Sequence, residues 1–135
     1  MNCRTERFLL RNMTTGAVLA RRVEPALDSR TRRRGLLGRD GLPDGTALVI
    51  APSNAVHTFF MRFAIDVIFV GRDGRVMKVR TGVPARRLLV SLRAFCVIET
   101  AVGCCGQVAA GDRLELAANP LQTELSSTDA GTYPS

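Results

Sequence analysis

Short apolar runs separated by turn-forming residues dominate this chain. Residues 8–10 and 17–20 are apolar and flank a polar, glycine-containing connection, which predicts a β-hairpin. Residues 46–51 form a continuous apolar run that Pro52 ends, as expected of a buried strand. Residues 65–70 and 75–80 are separated by Gly71-Arg72-Asp73-Gly74, and this Asp-Gly turn predicts a second hairpin.

The remaining pattern predicts one helix and two more strands. Asp28 or Ser29 can cap a helix that runs to about Leu37 and ends at Gly38 or Gly41. Gly82-Val83-Pro84 should break the preceding strand, and residues 85–91 fit either a loop or a strand. Residues 95–100 have strand composition, and the alternation at 113–116 predicts a half-exposed strand.

These elements predict a mainly β fold, a β-rich α+β arrangement with one helix in the N-terminal half. Antiparallel pairs should dominate, in a compact sandwich or a partly closed barrel. Residues 1–117 should form a single domain, and residues 118–135, rich in Ser, Thr, Pro and Gly, should be a disordered tail.

Composition agrees with a globular domain. The chain has 135 residues, 46% of them hydrophobic, which is enough for a core without disulfide staples. No window holds the ~18 uncharged apolar residues of a membrane span, so a soluble protein is expected. No apolar segment follows the charged N-terminus, which predicts a cytoplasmic location unless the true start lies upstream.

The four cysteines give little sign of a metal site. Cys104 and Cys105 are adjacent and lack the Cys-x-x-Cys spacing of zinc ligands, and the chain has one histidine. We therefore expect no metal and no cofactor, and buried thiols in a reducing compartment. A disulfide between Cys96 and either Cys104 or Cys105 stays open, because sequence does not fix connectivity.

Positive charge is concentrated near the N-terminus. Net charge is +7, and ten of the 18 arginines precede Gly41, against four acidic residues. Such asymmetry can indicate an anionic partner. However, no recognition motif with interleaved aromatic residues accompanies Arg32-Arg33-Arg34, so we interpret this tract as the solvated face of a helix and do not favour nucleic acid as a partner.

Residues 57–70 place ionisable groups within an almost continuous apolar run, and half of the phenylalanines of the chain lie between Phe59 and Phe63. Asp66 lies in this run, and Glu99 lies in a later apolar run. Burial of either carboxylate is costly unless it pairs with a cation or accepts hydrogen bonds. Arg39 could supply the cation, with Arg34 and Arg62 as other possible partners. In one interpretation, backbone amides or arginines satisfy both acids, which then only fix the strand register. In the other, the acids belong to a polar pocket whose arginines can bind a carboxylate or phosphate in a bidentate manner.

Four blocks carry a resemblance to a known family: Arg34-Gly35-Leu36-Leu37-Gly38-Arg39, the segment from Thr58 to Phe69, Val97-Ile98-Glu99 with Gly103, and Gly111-Asp112. In order and spacing they resemble the domain-of-unknown-function 192 family, between about Arg30 and Leu116. The resemblance implies a compact β-rich fold. Many relatives look exported, and many differ at the position of His57, which argues against a family-wide catalytic role for this residue.

Two functions fit these residues. The first is a non-enzymatic ligand-binding or accessory module with a groove near residues 57–66, for a small anionic or partly apolar ligand or a peptide. The second is a small hydrolase or isomerase that uses His57 with Asp66 or Glu99. We expect the first, because no nucleophile or phosphate-binding motif is present. The candidate binding residues are His57, Phe59, Phe60, Met61, Asp66, Glu99, Arg34 and Arg39.

Overall fold

The computed structural model describes residues 7–105 and 107–120, and this part of the chain forms ten strands and one helix. The helix is α1 (Ser29–Arg34). The strands are β1 (Phe8–Asn12), β2 (Val18–Ala20), β3 (Arg22–Ala26), β4 (Thr46–Ile50), β5 (Ala55–His57), β6 (Ile65–Val70), β7 (Val76–Val83), β8 (Leu88–Val90), β9 (Cys96–Ala101) and β10 (Leu114–Ala118).

The strands form a central five-stranded sheet and two smaller sheets. The order of the central sheet is β3-β4-β9-β6-β7, in which β3 and β4 are parallel and all other neighbours antiparallel. The second sheet has the order β10-β1-β2, and β5 pairs with β8. The β-rich, antiparallel-dominated fold is therefore confirmed, as a sandwich; the described residues form no closed barrel.

Each face of the central sheet covers its own core, because successive side chains of a strand point to opposite faces. We call one the sandwich-side core, where the sheet packs on β1, β2 and β10; it includes Leu10, Val49, Ile68, Val70, Ile98 and Leu114. We call the other the helix-side core, which includes Leu36, Ile50, Met61, Val67, Phe69 and Val97. Because both faces are covered, β4 and β6 are buried at every position, and all of their residues except Thr46 and Asp66 are apolar.

Both predicted hairpins are present. β1 pairs with β2 and β6 pairs with β7, both antiparallel. The predicted break at residues 82–84 is misplaced, since β7 continues to Val83. The segment that fitted either a loop or a strand contains both, because β8 occupies only its last part.

The helix is shorter than predicted. Asp28 caps it as expected, and its Oδ1 accepts a hydrogen bond from the backbone N–H of Thr31 at 2.8 Å. It ends at Gly35, whose N–H donates to the carbonyl of Thr31, and not at Gly38 or Gly41. None of its residues is buried, and the apolar contact comes from Leu36 beyond its end. The helix has no apolar face that could pack on the core, so packing does not stabilise a longer helix here.

The tail prediction is largely outside the described residues. β10 includes Ala118, one residue beyond the boundary we expected, and residues 121–135 are not described. Disorder of the tail therefore stays a prediction. Among the described residues, no helix is long and apolar enough to span a membrane.

Candidate functional site

Glu99 is a buried carboxyl group without a hydrogen-bond partner on one of its oxygens. It lies on β9 with only 3% of its surface exposed, between the cross-strand neighbours Leu48 and Val67, and it faces the helix-side core. Its Oε2 has no hydrogen-bond partner. Burial, opposed by the charge of Arg39, raises the pKa of Glu99 to about 7. Glu99 is thus poised to be neutral or charged near physiological pH.

Arg39 does not serve Glu99 as a direct partner. Its Nη2 donates to Oε2 of Glu24 at 2.8 Å, and both side chains are partly exposed. Glu24 and Glu99 are the two cross-strand neighbours of Leu48. The charge of Arg39 therefore acts on Glu99 electrostatically, without a hydrogen bond between them. Arg62, another predicted cation, pairs with Asp40 at 2.7 Å on the surface. The buried carboxyl group therefore lacks an arginine of its own among the described residues.

Asp66 lies on the opposite face of the same sheet. It is fully buried, and its carboxylate accepts three backbone N–H bonds: from Gly82 to Oδ1 at 2.8 Å, and from Gly103 and Cys105 to Oδ2 at 3.0 and 3.3 Å. No ion pair in the described residues involves it. Of the partners considered from sequence, Asp66 is therefore bound by backbone amides and not by an arginine in the described part of the chain.

A cavity of 390 Å³ opens beside Glu99 on the helix side of the sheet. We call it the Glu99 cavity. One wall is basic and comes from α1, and the opposite wall comes from β4, β5 and the segments around them. Its lining includes Arg32, Arg33, Arg34, Leu36, Leu37, Ile50, Val56, His57, Met61 and Glu99. The cavity therefore combines arginines, apolar side chains and one buried acid.

The arginines of the wall have few partners. Arg32 makes a 3.4 Å contact with the hydroxyl of Ser29, and neither Arg33 nor Arg34 forms an ion pair within the described residues. Guanidinium groups of this kind can bind a carboxylate or phosphate in a bidentate manner. The wall is thus suited to an anion.

His57 borders the same cavity from the end of β5. Its imidazole lies 5.8 Å from the ring of Phe59, centroid to centroid, and it is exposed. In the described part of the chain His57 forms no hydrogen bond to a carboxylate. Val56, the preceding residue of β5, packs on the helix-side core and also lines the cavity.

Phe59 and Phe60 do not line the cavity. They lie in a turn after β5, with 43% and 88% of their surfaces exposed, and Phe60 has a left-handed backbone with φ of 66°. Met61, which follows, is buried and does line the cavity.

Thr58 is a residue of this region that sequence reasoning missed. It is fully buried, and its hydroxyl donates to the carbonyl of Pro84 at 2.6 Å and accepts from the N–H of Arg87 at 2.9 Å. Its own N–H donates to the carbonyl of Arg87. Thr58 therefore fixes the turn that carries the phenylalanines to the loop before β8. A polar residue at the head of an apolar block was the only available signal.

A larger groove of 940 Å³ lies elsewhere, near the turn between β6 and β7. It is shallow, and Arg72 stacks on Phe95 at its edge, 4.8 Å from the ring centroid. In the described residues it contains no buried polar atom without a partner. We therefore regard the Glu99 cavity as the candidate site, in spite of its smaller size.

Cys96 and Cys105 are not activated as nucleophiles. Cys96, Cys104 and Cys105 are free thiols, so neither disulfide that the sequence left open is formed. Burial raises the pKa of Cys96 and of Cys105 to about 11, which keeps both protonated at neutral pH. Cys3 lies outside the described residues.

Comparison with known proteins shows the family. The model of the domain-of-unknown-function 192 family, DUF192, described as "Uncharacterized ACR", matches residues 10–116. The chain belongs to this family. No curated protein matches it.

Two solved structures share the fold of this DUF192 chain. A protein of unknown function from Novosphingobium aromaticivorans DSM 12444 has a TM-score of 0.69 at 23% identity, over 81% of this chain and 83% of that one. A protein from Sinorhizobium meliloti 1021, named a "putative transcription regulator", has a TM-score of 0.71 at 21% identity, over 82% and 92%. Identities this low show the fold alone.

The DUF192 fold thus brings together only part of the predicted site. His57, Met61, Glu99 and Arg34 border one cavity. Arg39 pairs with Glu24 and does not line the cavity. Phe59 and Phe60 are exposed on the surface, and Asp66 lies on the opposite face of the central sheet. Arg32 and Arg33, which we interpreted as solvated, also line the cavity, as does Val56, which the sequence analysis did not single out.

Proposed function

We propose that this chain is a non-enzymatic ligand-binding module, and that its site is the Glu99 cavity. The ligand is a small, partly apolar anion. Its charged group contacts the arginines of α1, and its apolar part packs against Leu36, Val56 and Met61. The observation that carries this proposal is the buried Oε2 of Glu99, a polar atom without a hydrogen-bond partner on a residue that lines the cavity.

The alternative, a small hydrolase or isomerase, has less support. Asp66 is unavailable to His57, because it lies on the other face of the sheet with its carboxylate bound to backbone amides. Glu99 and His57 share the cavity, so any acid–base pair would have to consist of these two. Neither Cys96 nor Cys105 supplies an activated nucleophile to work with them, because burial raises the pKa of both thiols to about 11.

The proposal is tested by nuclear magnetic resonance titration of the amide signals. Benzoate, sulfate and short peptides are added separately, and benzoate should shift the amides of Leu36, Val56 and Met61 before those of the groove near Phe95. Benzoate is the favoured probe because it is both apolar and anionic.

A pair of matched variants separates a site from general attraction of anions. Arg34→Ala removes a charge from the cavity wall and should weaken binding about tenfold or more, the cost of one charge-assisted contact. Arg80→Ala removes the same charge from the exposed part of β7 and should leave binding unaltered. Equal losses in both variants, or no shift of the cavity amides with any probe, would refute the proposal.

A further inference from the structure

The groups around Glu99 leave its charge uncompensated. From β3, Glu24 faces the same side of the sheet and already holds Arg39 at 2.8 Å. From β4 and β6 the cross-strand neighbours are Leu48 and Val67, which are apolar. From α1 and β5, Arg32, Arg33, Arg34 and His57 border the cavity that a ligand would fill. A second negative charge in that cavity would compete with ionised Glu99 for these cations.

Two negative groups in one poorly solvated site do not both stay ionised. A pair of carboxylates at close range shares one proton, because the repulsion between two charges raises the affinity of one of them for that proton. Oε2 of Glu99 accepts no hydrogen bond, so protonation there breaks no existing contact and creates an O–H donor.

Resting on the proposed function, we infer that the Glu99 cavity takes up its anionic ligand together with one proton. The proton comes from solvent and resides on Glu99, whose O–H donates to an oxygen of the ligand anion. The arginines of α1 balance the charge that the ligand brings. Glu99 thus acts as a selective donor for an oxyanion, and binding depends on pH.

The burial of Glu99 supports this inference independently of the ligand. Its pKa of about 7 in the free protein means that uptake of the proton is easy at neutral pH. If only the protonated form binds, the affinity for an anion falls as the pH rises through 7. The expected loss is about tenfold between about pH 6 and pH 8.

Benzoate is the probe for the test, because it stays ionised across this pH range as a carboxylate. Isothermal titration at about pH 6 and pH 8 should show the tenfold loss. At pH 7, titrations in two buffers of different ionisation enthalpy should show uptake of about half a proton per benzoate. Glu99→Gln, which is uncharged at every pH and keeps an N–H donor, should bind equally at both pH values.

His57 provides the necessary control, because imidazoles also change charge between about pH 5 and 8 and this one borders the cavity. His57→Gln should retain the pH dependence, whatever its effect on affinity. Loss of the dependence in His57→Gln, or its survival in Glu99→Gln, would overturn the inference.

The two proposals fail in different ways. Benzoate binding in the cavity without pH dependence overturns proton uptake and leaves the binding module standing. Absence of binding at both pH values overturns both.

Discussion

Replacing Glu99 by Gln should stabilise the protein, and the gain should grow with pH. The pKa of Glu99 is about 7 in the folded chain against an ordinary value of 4.5. Below about pH 4.5 the group is neutral in both states and costs nothing. Between about pH 4.5 and pH 7, Glu99 is ionised in the unfolded chain and neutral in the folded chain, so the free energy of unfolding falls as the pH rises. Above about 7 the full cost is present.

The size of this effect follows from the two pKa values. A difference of about 2.5 pH units, at about 1.4 kcal/mol each, corresponds to about 3 kcal/mol at high pH. The amide of Gln has a similar shape and no charge, so it escapes this cost. Its N–H₂ group does need an acceptor, which makes 3 kcal/mol an upper estimate of the gain.

Urea denaturation of wild type and Glu99→Gln at about pH 5 and pH 8 measures the effect. The difference in unfolding free energy should grow in favour of the variant by about 2 to 3 kcal/mol between these pH values. Glu115→Gln, the same change at an exposed residue, should follow wild type within about 0.5 kcal/mol. If the Glu99→Gln difference is the same at both pH values, Glu99 is not a desolvated, uncompensated acid.

Other substitutions test the rest of the structure, each by the same denaturation. Asp66→Ala should lower the free energy of unfolding by about 3 kcal/mol or more, because three backbone N–H groups lose their acceptor. In the double variant with Glu99→Gln, the two changes in unfolding free energy should add within about 0.5 kcal/mol, since the two residues share no partner. A large departure from additivity would show that Asp66 and Glu99 belong to one network of interacting groups. Gly74→Ala should lower the free energy of unfolding by about 3 kcal/mol, because the new Cβ would lie 2.8 Å from the carbonyl oxygen of Leu114. Gly16 has a similar φ and open space around it, so Gly16→Ala should lower it by only about 1 kcal/mol. Equal losses in the two variants would contradict the close approach at Gly74. Phe60→Gly should raise stability by about 1 kcal/mol by relieving a left-handed backbone at an exposed residue, and a loss would show that the ring packs.

Local signals in the sequence were sufficient for much of the fold. The Asp73-Gly74 turn predicted the hairpin of β6 and β7, and Asp28 predicted the start of the helix, because both depend on backbone preferences of a few neighbouring residues. The end of the helix was missed, because nothing local distinguishes Gly35 from Gly38 as the terminator.

The site was harder to predict from the sequence, because it depends on the pairing of strands that are distant in the chain. Asp66 and Glu99 look equivalent in sequence, each in an apolar run. The register that places Glu99 opposite Val67 puts Glu99 and Asp66 on opposite faces, and a shift of one residue would have put them on the same face. Backbone amides as partners of Asp66 were equally hidden, since amides carry no sequence signal.

Asp66 also affects how long the folded chain persists. The three amides that it binds lie 16, 37 and 39 residues away in sequence, and they come together only after β6, β7 and β9 are aligned. We expect contacts between residues this far apart in sequence to form after the folding transition state, so that they slow unfolding without speeding folding. Loss of the Asp66 carboxylate should then shorten the lifetime of the native state, with more frequent release of the ends of β7 and β9, and leave the rate of folding unaltered.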